Sequence, residues 1–200
     1  MSKTLQQLFE SRRTYYALQP KSPISDEAIT ELLKSALWNL PSPFNSQSSR
    51  FVLLLGKEHT ALWQIVKETL KAKVPADAFV KTEAKIDNGF AAGYATILFF
   101  EDTAVVEGLQ KSFPSYAANF PLWSQQTSGL HQLTVWLLLE ESGCGASLQH
   151  YNPLIDDAVK TRWNLPASWQ LVAQMPFGTP AKEPEAKEHL PLEDRLKVFG

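Results

Sequence analysis

Two adjacent arginines followed by a hydroxyl, Arg12-Arg13-Thr14, carry the clearest chemistry in this 200-residue sequence. Guanidinium forks bind phosphate or carboxylate through paired hydrogen bonds, and a threonine hydroxyl adds another from the same turn. Successive helical residues point about 100° apart, so both arginines reach one ligand only where the chain leaves a helix. Leu5, Leu8 and Phe9 are spaced like one face of such a helix, which should stop here. The plainer alternative is a solvated basic helix end that complements the helix dipole.

Two further stretches suit a planar ligand. Between Pro41 and Ser49 lie Ser42, Asn45 and Gln47, whose donors and acceptors can read the edge of a heterocycle. Two prolines stiffen this loop, which is otherwise an ordinary helix-to-strand connection. Between Phe113 and Pro121 the chain is aromatic and broken by proline. That is a wall for a flat ligand or, equally, satellite core packing.

Other chemistries find no support. Gly143-Cys144-Gly145 is the one Gly-x-Gly, and it follows a predicted helix, the wrong context for a dinucleotide fingerprint. No phosphate-binding Walker loop and no Gly-x-Ser-x-Gly elbow occurs. The four histidines lack metal-ligand spacing, and Cys144 reads as a buried inert thiol before it reads as a nucleophile. Asp156 and Asp157 read as helix-start charges. Anion binding and aromatic surface without side-chain chemistry suit a protein whose cofactor carries the reaction.

The elements that must position these residues read as follows. Thr4 and Gln7 form a capping box for the first helix. Ser25 caps a second, with Asp26 and Glu27 in its first turn and Ile29, Leu32, Leu33, Ala36 and Leu37 as its core stripe. Buried strands are predicted over 51–55, 95–101 and 168–175, and helices over 58–73 and 77–87. A helix over 127–142, apolar nearly all round, belongs at the centre or at an interface, and Gly143 ends it. Asn152-Pro153 reads as the cap and first residue of another helix. Beyond Pro176 a charged, proline-rich tail ends in an apolar, strand-like tip, which makes sense if it crosses a partner subunit.

Composition bounds the class. A hydrophobic fraction of 44% with six tryptophans suits one globular domain over residues 1–200. A net charge of −2 argues against nucleic-acid binding. A single cysteine fits a reducing compartment, and without an apolar leader or a membrane-length run the expected location is cytoplasmic.

Four stretches together, Glu10-Ser11-Arg12-Arg13-Thr14-Tyr15-Tyr16, Ser42-Pro43-Phe44-Asn45-Ser46-Gln47, Phe99-Phe100-Glu101-Asp102 and Leu148-Gln149-His150-Tyr151-Asn152-Pro153, resemble the flavin-dependent nitroreductase family. The nearest likeness is to its short, fatty-acid-repression-type branch. The resemblance covers nearly the whole chain. It implies an α+β fold, a mixed and mainly antiparallel sheet flanked by helices, in an obligate homodimer whose C-terminal tail adds a strand to the partner. It also implies FMN at the subunit interface.

By position, the resemblance puts Arg12, Arg13 and Thr14 on the flavin phosphate and ribityl chain. Lys187 matches a second phosphate cation, with His189 or Arg195 assisting, since the family's usual arginine near His189 is absent. Ser42, Pro43, Phe44, Asn45 and Gln47 match the loop that reaches the flavin from the opposite subunit. Leu148, Gln149 and His150 match the segment along the isoalloxazine ring. Tyr16 stands where many relatives carry Lys or Arg, which should leave the flavin harder to reduce. The implied activity is ping-pong transfer from NADH or NADPH to nitroaromatic or quinone-type acceptors, with Phe44 and Tyr116 as candidate walls and no essential side-chain acid. A flavin-binding regulator with little turnover is the second reading. An anion-binding module without flavin is the third.

Overall fold

A capped first helix delivers the arginines where the sequence requires them. The computed structural model describes residues 3–200. In α1 (Leu5–Ser11) the Thr4 side chain accepts from the Gln7 backbone, and the Gln7 side chain accepts from Thr4, completing the capping box. The helix stops at Arg12, whose φ of −60° and ψ of 121° are extended. A short strand β1 (Leu18–Gln19) follows, then α2 (Asp26–Asn39), capped by Ser25 and burying Ile29, Leu33 and Ala36. Leu37 and Trp38 instead face outward from this helix.

The sheet contains β1 with β2 (Ser49–Leu55), β3 (Ala95–Asp102), β4 (Gly145–Ala146) and β5 (Trp169–Pro180), in the order β1-β5-β3-β2, with β4 also on β5. These ladders are antiparallel, and a parallel bridge joins Thr14 to Ala146. Side chains alternate across a strand, so β3 feeds two cores. Ile97 and Phe99 pack with α2 and with α6 (Phe120–Glu141), through Val135 and Leu139. Leu98 and Phe100 face Leu62, Trp63 and Val66 of α3 (Gly56–Lys71) and Val159 of α7 (Asp156–Trp163). Between them α4 (Ala76–Lys85) runs into a π-helical turn over Ile86–Phe90.

Two expected helix starts are corrected, and one further helix appears. A helix α5 (Thr103–Ser112), capped by Asp102, lies where the sequence showed no motif. α6 begins at Phe120, earlier than expected, because Pro121 sits in the first turn, where its missing N–H is harmless. Asn152-Pro153 does not start α7: the peptide is cis, and the helix begins at Asp156 with Ile155 as its cap. The Asn152 side chain is taken instead by Gln174, whose Nε2 donates to Asn152 Oδ1 at 3.2 Å. Asp156 and Asp157 do occupy the first turn. The tail beyond Pro180 forms no strand; its last residues make a turn around Leu192–Leu196.

Candidate cofactor site

The Arg12–Tyr16 stretch is held against the 145–150 segment by backbone. Tyr15 N–H donates to Ala146 O at 2.9 Å, beside the parallel bridge. This approach requires glycine at 145, because a Cβ there would meet the Tyr15 ring at 2.8 Å. The Tyr15 hydroxyl donates to Glu183 of the tail at 3.4 Å, and burial together with that carboxylate raises its pKa.

The tail closes over the stretch to form a cavity of about 570 Å³. Arg12, Arg13, Thr14, Tyr15 and Tyr16 line one side, and 182–187 the other. Four cations face it, Arg12, Arg13, Lys182 and Lys187, against two acids, Glu183 and Glu185. Arg13 Nη2 donates to the Glu185 backbone carbonyl, and the Arg12 guanidinium lies 4.5 Å over the Trp136 ring of α6. No ion pair to Arg12, Arg13 or Lys187 occurs among the described residues. With four cations against two acids, the cleft keeps an excess of positive charge that favours an anion.

Leu148, Gln149 and His150 follow β4 along the chain but do not line this cavity; their segment is shaped by Gln174. Gln149 N–H donates to Gln174 O at 2.7 Å, and Tyr151 N–H donates to the fully buried Gln174 side chain at 2.8 Å. His150 is left exposed. Tyr16, also exposed, has Lys85 Nζ 5.9 Å from its ring centre.

The structure does not bring the 42–47 loop to this cavity. Ser42 and Gln47 line another, of about 730 Å³, beside Trp38, Arg50 and His131. Phe44, Asn45 and Gln47 have φ values of 55°, 52° and 49°, left-handed positions that side chains disfavour. The loop is tied by Gln47 N–H to Ser42 Oγ at 3.0 Å and by Arg50 to the Gln47 carbonyl at 2.7 Å. Pro43, Phe44 and Asn45 form a 3-10 turn, and Phe44 packs on Phe113, Tyr116, Phe120 and Trp123. His189 and Arg195 are exposed in the tail and do not line the arginine cavity. Cys144 is buried, and burial pushes its thiol up to about 11, as suits an inert core residue.

Sequence reasoning did not find Tyr15, Trp136, Lys182, Lys85 or Gln174. Their roles come from partners far along the chain, and only Lys182, beside the tail's other charges, had a compositional cue.

Fold and cleft together define an α+β domain with a cationic pocket at a helix end. The description Nitroreductase family matches residues 9–179, and the chain belongs to that family. It is therefore an oxidoreductase by class. HBN1 of Saccharomyces cerevisiae is 36% identical over 196 residues, covering 95% of this chain and 94% of HBN1. The nitroreductase FRM2 of the same yeast is 34% identical over 179 residues, 88% of each chain. The nitroreductase CinD from Lactococcus lactis, solved with 4-nitrophenol, is 44% identical with a TM-score of 0.89, covering 98% of this chain and all of that one. A more distant nitroreductase-type structure from Exiguobacterium sibiricum, in complex with FMN, shares the fold at a TM-score of 0.74 and 15% identity, with coverage of 100% and 99%.

Proposed function

We propose that this protein is an FMN-dependent NAD(P)H oxidoreductase that reduces nitroaromatic or quinone-type acceptors in a ping-pong cycle, acting as a homodimer. The observation that carries the reading is the cavity joining Arg12, Arg13, Thr14, Tyr16 and Lys187, whose cations have no acidic partner among the described residues. This donor set fits a phosphate monoester: guanidinium forks, an ammonium and a hydroxyl, with exposed Tyr16 beside them. Held there, FMN would supply the redox chemistry that links NADH or NADPH to the acceptor.

The chain's own work is binding and exclusion of water. Arg12, Arg13 and Lys187 hold the phosphate, and Thr14 adds a hydrogen bond. Leu148, Gln149 and His150, fixed by Gln174, border the ring system, and Tyr16 lies at its edge. Ser42, Pro43, Phe44, Asn45 and Gln47 serve the site of the opposite subunit, consistent with their distance from this chain's own cavity. Phe44 and Tyr116 then wall the planar substrate.

Unpartnered apolar surface supports the dimer. Leu122, Leu130 and Leu133 of α6 are exposed, Trp38 is 88% exposed, and the tail exposes Leu190, Leu192, Leu196, Val198 and Phe199. Such a large apolar area marks an association surface. No helix among the described residues is long and apolar enough to cross a membrane.

The test is the visible spectrum of purified, dialysed protein, with the released cofactor identified by mass. A yellow protein holding about one FMN per chain, bleached by NADH or NADPH and recoloured by a nitroaromatic, is expected. A colourless protein that takes up no added FMN overturns the reading.

A further inference from the structure

Glu101 of β3 is a carboxylate with 1% exposure whose partners are all hydroxyls. Ser48 Oγ donates to Oε2 at 2.6 Å, Ser124 Oγ donates to the same oxygen at 2.7 Å, and Ser49 Oγ donates to Oε1 at 2.5 Å. Arg50, the nearby cation, is engaged by Asp102 at 3.1 Å, and no ion pair to Glu101 occurs among the described residues. A buried carboxylate is costly unless donors surround it, and short hydroxyl bonds to both oxygens answer that requirement.

The serines belong to two segments that meet nowhere in sequence. Ser48 and Ser49 stand where the left-handed 42–47 loop passes into β2, and Ser124 lies in the second turn of α6. Phe44 of the loop meets Phe120 and Trp123 of α6 in one aromatic platform, joined by Phe113 and Tyr116 from the turn before α6. The Phe44 ring lies 4.7 Å from Phe113, 5.3 Å from Phe120 and 5.9 Å from Tyr116, and stacks on Trp123 at 6.4 Å with 20° between planes. His131 Nδ1 donates within α6 to Thr127 O at 3.0 Å and lies 3.4 Å from Ser49 Oγ, a packing contact beside the carboxylate.

Phe44, Asn45 and Gln47 hold backbone conformations that persist only where surrounding structure fixes them. We propose that Glu101 is the positioning residue that latches the 42–49 loop to the start of α6, and so sets the aromatic platform on which a planar acceptor stacks. The latch itself stands on this chain's geometry; the nature of the stacked ligand rests on the proposed function. An acceptor-only group is needed, because three serine hydroxyls all point their hydrogens inward. A glutamine amide would turn an N–H2 toward at least one of them.

The decisive variant is Ser124→Ala, which removes the α6 arm and keeps the bonds from Ser48 and Ser49. Flavin-loaded protein is titrated with 4-nitrophenol, followed by flavin absorbance, for wild type, Ser124→Ala, Glu101→Gln, Phe44→Ala and the Phe44→Ala/Ser124→Ala pair. Each single variant is expected to weaken 4-nitrophenol about fivefold, the scale of one aromatic contact. The double variant is expected to bind no worse than Phe44→Ala alone, because residues acting through one device are not additive. Additive losses, or wild-type affinity in Ser124→Ala, overturn the proposal. Amide hydrogen exchange gives an arm independent of flavin. Residues 44–49 are expected to exchange faster in Glu101→Gln and Ser124→Ala, and unchanged rates overturn the latch. A wild-type protein without flavin overturns the proposed function instead, and the exchange arm then decides the latch.

Discussion

Replacing Arg12 by alanine separates a phosphate ligand from a solvated helix end. Arg12 sits at the C-terminus of α1, stacked on Trp136 at 4.5 Å, with no acidic partner among the described residues. Its contribution to folding is therefore small: a cation–π contact of about 0.5–1 kcal/mol and a dipole interaction of about 0.3–1 kcal/mol. For a domain of this size that amounts to a fall in Tm of roughly 2–8 °C. Its contribution to a bound phosphate is larger, since a hydrogen bond to a charged group is worth about 1.5–3 kcal/mol. That is a roughly 10- to 150-fold weaker Kd for FMN. The assay is titration of cofactor-free protein with FMN and, in parallel, with riboflavin, which lacks the phosphate. Arg12→Ala is expected to weaken FMN by that factor and to leave riboflavin within about twofold, near the resolution of such titrations. Equal losses for both ligands would mean that Arg12 shapes the pocket without touching phosphate. Unchanged FMN affinity would return it to a solvated helix end.

Cys144 predicts a pH dependence. Burial raises its thiol from an ordinary 9.0 to about 11, so the folded chain keeps a proton that the unfolded chain sheds. The associated stability is full below pH 9.0 and is lost as pH rises to about 11, a decline on the order of 2–3 kcal/mol. Cys144→Ala should show a shallower decline in denaturant melts; the raised Tyr15, Tyr94 and Tyr151 hydroxyls contribute in both proteins. Tyr16→Lys should raise the flavin midpoint potential by about 20–40 mV, roughly 1–2 kcal/mol for two electrons, and a potential that stays put would remove Tyr16 from the ring edge. Truncation after His189 keeps Lys187 but removes the exposed Leu190, Leu192, Leu196, Val198 and Phe199. Sedimentation is expected to show dissociation with lower flavin content; an intact dimer would place the interface elsewhere.

What the sequence made legible was local. The capping box at Thr4 and Gln7 fixes where α1 begins, while of the expected Leu5, Leu8, Phe9 face only Leu8 is buried. Arg12 and Arg13 were thus readable as a pair released from a helix. Ser25, the inert Cys144 and the strands expected over 95–101 and 168–175 were readable from local pattern, although β5 runs on to Pro180, into what read as tail. Asn152-Pro153 shows the opposite case. Its local chemistry favours a helix cap, but Gln174 on β5 takes the Asn152 side chain and the Tyr151 amide, and the helix starts later. The two stretches expected to share a flavin, Arg12–Tyr16 and Ser42–Gln47, do not share a cavity in one chain. Only family resemblance, with its second subunit, relates them.

Gly145 carries this point furthest. As part of Gly143-Cys144-Gly145 it failed as a dinucleotide fingerprint, since no strand precedes it and no helix follows. Its physical role is steric: without a side chain it admits the Tyr15 ring, which would lie 2.8 Å from an added Cβ. That contact lets Tyr15 donate to Ala146 and reach Glu183 of the tail, and so brings Arg13, Thr14 and Lys187 around one cavity. The glycine that could not bind a phosphate by its own backbone motif is what lets the arginine stretch and the tail meet. A site assembled this way has no contiguous sequence signature, because its specificity lies in a close approach between segments more than a hundred residues apart.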